Sequence, residues 1–132
     1  MERDKLKIKH NMKTNQEILD NYGKLVVNQI IDRQYKGISK AIFQGFKNPT
    51  MQQYNTIFEK LNNEEKYLLK ELIHENINLL VFDFLNIFEE NEQFKLVYEE
   101  EGKQVNLVEI SEMLKAELII ENGWIERFSK EK

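Results

Sequence analysis

LLVFDFLNIF, residues 79–88, is the longest apolar block of the chain and decides its fold. Eight of its ten residues are apolar, and the two polar ones, Asp83 and Asn86, leave no wide polar side. A helix that is apolar on nearly every side is central in its domain or covered on two faces. We therefore predict that this segment is the core of the fold. It is too short and too polar to span a bilayer, so we expect no membrane segment.

The helix that contains this block begins at a recognisable cap. Asn62 suits the N-cap, and Glu65 three residues later completes the spacing of a capping box. The apolar residues that follow recur at helical intervals, which predicts one helix to about Glu90. This is the third predicted helix of the chain.

Two further helices are predicted upstream. Thr14 and Glu17 again have the capping-box spacing, and the apolar period predicts a long helix to about Gly45, with a bend or break near Gly37. The only proline, Pro49, suits a first helical position. A second helix is therefore predicted from Pro49 to Leu61.

The apolar period changes from helical to alternating after residue 93. Residues 94–98 alternate as in a strand, Glu101-Gly102 suits a turn, and Val105 and Leu107 fall on the return. We predict a β-hairpin near 94–108. A short helix starting at Asn106 or Glu109 and a last helical turn near Trp124 follow.

These elements together predict a mainly α-helical domain with a small β-hairpin (α+β). The hairpin forms a single layer packed on three main helices, because a lone hairpin is marginal in water. At 132 residues the chain has the size of one domain, and we place it at 14–132. Residues 1–13 are predicted to be a flexible basic tail.

The net charge of −4 is unevenly distributed along the chain. Residues 89–132 hold six Lys/Arg against twelve Asp/Glu, whereas residues 1–13 hold five against two. A net-acidic surface repels phosphate backbones, so direct nucleic-acid binding is disfavoured. The acidic C-terminal third favours a basic protein as partner.

The sequence offers little enzymatic chemistry. It has no cysteine, which excludes disulfides and thiolate sites and fits a reducing cytoplasm. Glu71 and His74 have the Glu-x-x-His spacing of di-iron sites, but such sites need a second copy and further glutamates. Serine nucleophiles have no strand–turn–helix elbow around them. We therefore expect no enzyme activity, no metal and no cofactor.

The residues most suited to a partner are two glutamate runs that bracket the predicted first strand. Crowded like charges cost some stability, and a basic partner is one reason to tolerate that cost; the other interpretation is an ordinary solvated rim. The aromatic residues Tyr98 and Trp124 are candidate interface anchors, and Trp124 is alternatively a core side chain. The predicted acidic patch comprises Glu89, Glu90, Glu92, Glu99, Glu100 and Glu101.

Three segments of the sequence resemble a known protein class, and this resemblance also favours a protein-binding function. "VNLVEISEMLKAEL" (105–118), "ENGWIERFSK" (121–130) and the opening helix "ILDNYGKLVVNQIIDR" (18–33) resemble segments of small bacterial immunity proteins, which neutralise polymorphic or contact-dependent toxins. The resemblance spans about residues 15–130 and contains no catalytic motif. It implies a cytoplasmic, non-enzymatic inhibitor of a cognate toxin. The acidic charge makes a basic nuclease the expected toxin class.

Two other function classes remain open from the residues. One is a homo-oligomeric structural or regulatory protein with the third helix as its interface, and a homodimer is compatible with the inhibitor class too. The other is an enzyme or metal protein that uses His74 and neighbouring carboxylates.

Overall fold

A computed structural model describes residues 13–132. The predicted basic tail, 1–13, lies outside the described residues apart from Lys13. The described part is mainly helical with one antiparallel two-stranded hairpin, which confirms the predicted fold class. In chain order the elements are α1 (Asn15–Val26), a π-helical turn (Val27–Ile31), α2 (Asp32–Gln44), a 3-10 turn (Gln52–Tyr54), α3 (Asn55–Phe58), α4 (Asn63–Glu90), β1 (Val97–Glu100), β2 (Lys103–Asn106), a 3-10 helix (Leu114–Leu118) and α5 (Trp124–Phe128).

The predicted capping boxes are both present. The Thr14 hydroxyl accepts the Glu17 N–H at 3.1 Å, and the Glu17 carboxylate accepts the Thr14 N–H at 3.3 Å. Asn62 and Glu65 exchange the equivalent bonds at 2.8 and 2.9 Å. Each pair satisfies N–H groups that have no partner within the helix, so α1 and α4 begin where the sequence predicts.

The first helix runs without a break through Gly37, so the predicted break there is wrong. It departs from α geometry earlier, in the π turn at Val27–Ile31. A π turn holds more residues than an α turn, so steps of four residues stay on one face across it. Val27, Ile31 and Tyr35 therefore continue the buried side of α1, while Ile30 is left at the surface.

The predicted second helix, Pro49 to Leu61, is wrong in extent. Only the 3-10 turn and the four-residue α3 form there. The Asn55 side chain accepts the Phe46 N–H at 2.7 Å and donates to the Phe46 carbonyl at 3.0 Å. Asn48 likewise accepts the Thr50 N–H at 3.0 Å. Such side-chain to backbone bonds compete with the helical ladder, and the segment becomes a series of turns.

The prediction that the apolar block of α4 is central or covered on two faces is also wrong. Val81 and Leu85 are buried, but Leu80 is 72% exposed and Phe84 is 55% exposed. The α1–α2 helix and the C-terminal segment cover one side of α4. Because the predicted second helix does not form at full length, the described chain lacks a helix to cover the other side.

The hairpin is confirmed, with its first strand three residues later than predicted. Tyr98 pairs with Val105 and Glu100 with Lys103, and Leu107 extends the pairing by donating to the Leu96 carbonyl at 2.9 Å. Glu101 (φ 49°) and Gly102 (φ 80°) both have positive φ, as a tight turn matched to the strand twist requires.

The C-terminal segment completes the core. The predicted helix from Asn106 or Glu109 is wrong, since turns occupy this stretch and only the 3-10 helix Leu114–Leu118 follows. Leu114, Leu118 and Trp124 are fully buried against α1 and α4. The hairpin rests on this core through Tyr98 and Val105, which are partly buried.

Candidate protein-binding surfaces

The acidic patch predicted from the sequence divides into two kinds of residue in the structure. Four of its glutamates are exposed: Glu90, Glu92, Glu99 and Glu101. Glu101 stands at the hairpin turn, and Glu99 accepts a hydrogen bond from the Gln104 side chain at 3.2 Å on the outer face of the hairpin. Their carboxylates face solvent and are available to a cationic partner.

Glu89 and Glu100 have intramolecular roles instead. The Glu89 carboxylate accepts the Lys115 N–H at 2.7 Å and lies 3.7 Å from the Lys115 ammonium, so it caps the 3-10 helix. Glu100 accepts the Tyr98 hydroxyl at 2.6 Å, and this bond raises the pKa of the Tyr98 phenol. The Lys13 ammonium lies 5.8 Å from the centroid of the Tyr98 ring. These contacts tie the two carboxylates to the chain's own fold.

The two candidate interface aromatics are both involved in packing. Trp124 is 0% exposed and makes an edge contact with the Tyr22 ring at a centroid distance of 5.9 Å. Of its two interpretations, the structure therefore places it in the core. Tyr98 is partly buried on the inner face of the hairpin. An aromatic residue that the sequence reasoning did not select, Phe94, is 65% exposed in the loop before the hairpin.

An apolar groove between α1, the π turn and α4 was not predicted. Its volume is about 430 Å³, and Tyr22 and Ile30 form one wall while Leu80 and Phe84 form the other. A smaller apolar pocket of about 160 Å³ adjoins it through Tyr22, between α1 and β1. The absence of a polar side on α4 was visible in the sequence. That feature predicts coverage by other helices of the chain, which the fold of residues 13–132 does not supply.

A cationic cleft of about 580 Å³ lies beside α2. Arg33, Lys36 and Lys40 recur at helical spacing along one side of α2, and Lys130 of the C-terminal segment adds to them. That segment is fastened by buried Asp32, which accepts the Ser129 hydroxyl at 2.5 Å and the Lys130 N–H at 2.9 Å. The acidic chain therefore also has a local basic surface.

His74 is held in a stack and not in a ligand cluster. Its ring lies parallel to the Tyr35 ring at a centroid distance of 3.8 Å, and the Tyr35 hydroxyl donates to Asn78. Burial, together with the charge of Lys70, lowers the pKa of His74. Within residues 13–132 no group of three or more His, Asp or Glu side chains is arranged to hold a metal ion.

The comparisons with known proteins gave no match. No protein-family model matches the chain, and neither a curated protein nor a solved structure matches it. Across residues 13–132, no helix combines the length and apolarity needed to cross a bilayer.

The His74 stack predicts a pH dependence of stability. Because the folded-state pKa of His74 is lowered from 6.5, the unfolded chain binds the proton more readily. The free energy of unfolding should be highest above about pH 6.5 and fall as the pH drops through the lowered pKa. Urea unfolding between about pH 5 and 7.5 measures this slope, and His74→Gln should make it shallower.

The shifted pKa of Asp20, elsewhere in the fold, leaves this test interpretable. Arg127 lowers the pKa of Asp20 from 3.8, so the loss of stability from Asp20 occurs at more acidic pH than the loss from His74. An identical slope in the parent chain and in His74→Gln would contradict the assignment.

Proposed function

We propose that this chain is a non-enzymatic protein-binding domain, an inhibitor of the immunity type that blocks a basic toxin domain. The observation that carries the proposal is a set of four exposed carboxylates: Glu99 and Glu101 on the hairpin, Glu90 at the end of α4 and Glu92 in the loop between them. The resemblance of the opening helix and the C-terminal third to immunity proteins supports the finer assignment. A nuclease is the expected toxin class, because its Lys and Arg residues that hold a nucleic-acid backbone are the natural partners of carboxylates.

The hairpin is suited to presenting the carboxylates of Glu99 and Glu101. Its inner face is anchored on the core by Tyr98 and Val105, and its turn has only two residues, Glu101 and Gly102. A site held by packed elements loses little conformational entropy on binding. Opposite charge also steers a basic partner to the site and speeds association.

Phe94 adds an exposed aromatic side chain to the stretch of chain between the two pairs of exposed glutamates. It lies two residues after Glu92 and three before β1, and about two thirds of its surface is exposed. Interfaces commonly combine an aromatic anchor with a polar rim. In the proposed complex the glutamates govern association, and burial of Phe94 slows dissociation.

The experiment begins with purification of the tagged chain from its source cells and identification of a stoichiometric partner. A quadruple variant of the exposed glutamates to glutamine is then compared with the parent chain. We expect association at low salt to slow by roughly tenfold or more and to lose its salt dependence, because the steering charges are gone. Stopped-flow or surface-based kinetics over a salt series measure both.

A matched control removes the same four charges elsewhere. The variant with glutamine at Glu59, Glu71, Glu75 and Glu121, all exposed, has the same net charge as the test variant. If the two variants slow association equally, net charge explains the effect and the hairpin is not the site. If no stoichiometric basic partner is recovered, the inhibitor proposal fails. If a partner is recovered and the test variant associates with it as the parent chain does, the exposed glutamates are not the site.

A further inference from the structure

The exposed apolar side of α4 forms a ridge, and an apolar groove lies beside it, between α4 and α1. Leu80, Phe84 and Ile87 form the ridge, which stands at the surface at helical spacing. The groove beside it, which we call the α1–α4 groove, is walled by Ile30 and Tyr22 across from that ridge and floored by buried side chains such as Val81. Ridge and groove thus lie side by side on one face.

We propose that this face binds a second copy of the chain, with the α4 ridge of each copy seated in the α1–α4 groove of the other. A two-fold interface uses the same patch on both subunits, so the patch must be complementary to itself. A helical ridge next to a groove between helices meets that requirement, and apolar helices commonly bind in such grooves. This inference is independent of the inhibitor proposal.

The exposed area is in the range of a dimer interface. A large aromatic buries roughly 150–250 Å² when fully covered, so a half-exposed large side chain offers roughly 100 Å². Covering the face on two copies therefore removes roughly 1,200 Å² from water, which reaches the lower bound for stable interfaces. Six side chains contribute, each at about half exposure or more. Four of them line the groove, namely Ile30, Leu80, Phe84 and Ile87, and two more, Leu72 and Leu79, extend the exposed apolar side of α4 along the helix.

The chemistry of the face favours a second copy over a basic partner. Asp83 is the only charged residue among those that line the α1–α4 groove. A surface with so little charge gains most from another apolar surface, since burial of apolar area is the favourable term. The second copy supplies such a surface, whereas a basic toxin domain is drawn to the glutamates of the hairpin.

The test is the oligomeric state of the purified full chain. Sedimentation equilibrium over a concentration series should show a monomer–dimer equilibrium in the parent chain. Leu80→Lys should raise the dimer dissociation constant by roughly 100-fold or more, because it places a charge in an apolar interface. Leu80 is mostly exposed in the single chain, so the variant should keep the parent's circular dichroism spectrum.

Ile57→Lys is the matched control. Ile57 is 56% exposed and lies in α3, and it belongs neither to α4 nor to the lining of the α1–α4 groove. We expect this variant to dimerise like the parent chain. A parent chain that is monomeric at all concentrations, or equal weakening by the two variants, would overturn the proposal. Because the exposed glutamates of the hairpin do not line the groove, their glutamine variant should still dimerise, so the dimer and the inhibitor proposals can fail separately.

Discussion

Replacing Trp124 with alanine is expected to lower the free energy of unfolding by about 3–5 kcal/mol. Trp124 is fully buried, packs against Tyr22 and Gly23, and joins the C-terminal segment to α1. Its removal leaves a large cavity between elements that cannot close over it. Since natural domains are stable by about 5–15 kcal/mol, a loss of this size leaves little margin. Urea unfolding followed by far-UV circular dichroism measures it.

Trp124→Phe is the control for this prediction. The indole Nε1 is buried without a hydrogen-bond partner among the described residues, so phenylalanine removes an unsatisfied group as well as some volume. We expect less than half of the destabilisation that alanine causes. A Trp124→Ala chain whose unfolding free energy stays within about 1 kcal/mol of the parent would contradict the assignment of Trp124 to the core.

Gly23→Ala is expected to destabilise the chain by about 1–3 kcal/mol, although alanine is the better helix former. A Cβ at Gly23 would lie 2.5 Å from Cγ and Cδ1 of Trp124. The indole is rigid and fully buried, so α1 must move away from the C-terminal segment or the ring must leave its place. The same unfolding assay gives the magnitude.

Gly37→Ala is the matched substitution in the same continuous helix. A Cβ at Gly37 meets nothing within 4 Å, so we expect a gain of about 0.5–1 kcal/mol from helix propensity. The Gly23→Ala penalty should also shrink in a Trp124→Ala background, where the clash is absent. Equal effects at the two glycines, or an unchanged penalty in that background, would disprove close packing of Gly23 on Trp124.

Part of the candidate site could be predicted from the sequence and part could not. A run of glutamates can be read directly from the sequence, so Glu99 and Glu101 are predicted as candidate binding residues without knowledge of the fold. The internal bonds of Glu89 to Lys115 and of Glu100 to Tyr98 depend on which segments meet in the fold. No local sequence pattern indicates which distant segments of the chain come into contact.

The α1–α4 groove was missed because its existence depends on an uncovered helix face. The apolar residues of α4 predict burial without saying what buries them. Ile30 reaches the surface only because the π turn shifts the buried side of the first helix to Val27 and Ile31. The local apolar spacing predicts a helix here but not the register change within it.

The sequence by itself determined the mainly helical class, the two capping boxes and the Glu101-Gly102 turn. Each of these depends on hydrogen bonds or backbone angles within a few residues, so the local amino-acid sequence is sufficient to predict it. The tertiary structure alone decided which side of α4 is covered, that Trp124 is a core side chain and which glutamates remain exposed. Those outcomes depend on contacts between segments far apart in the chain, such as Trp124 on Gly23 and Glu89 on Lys115.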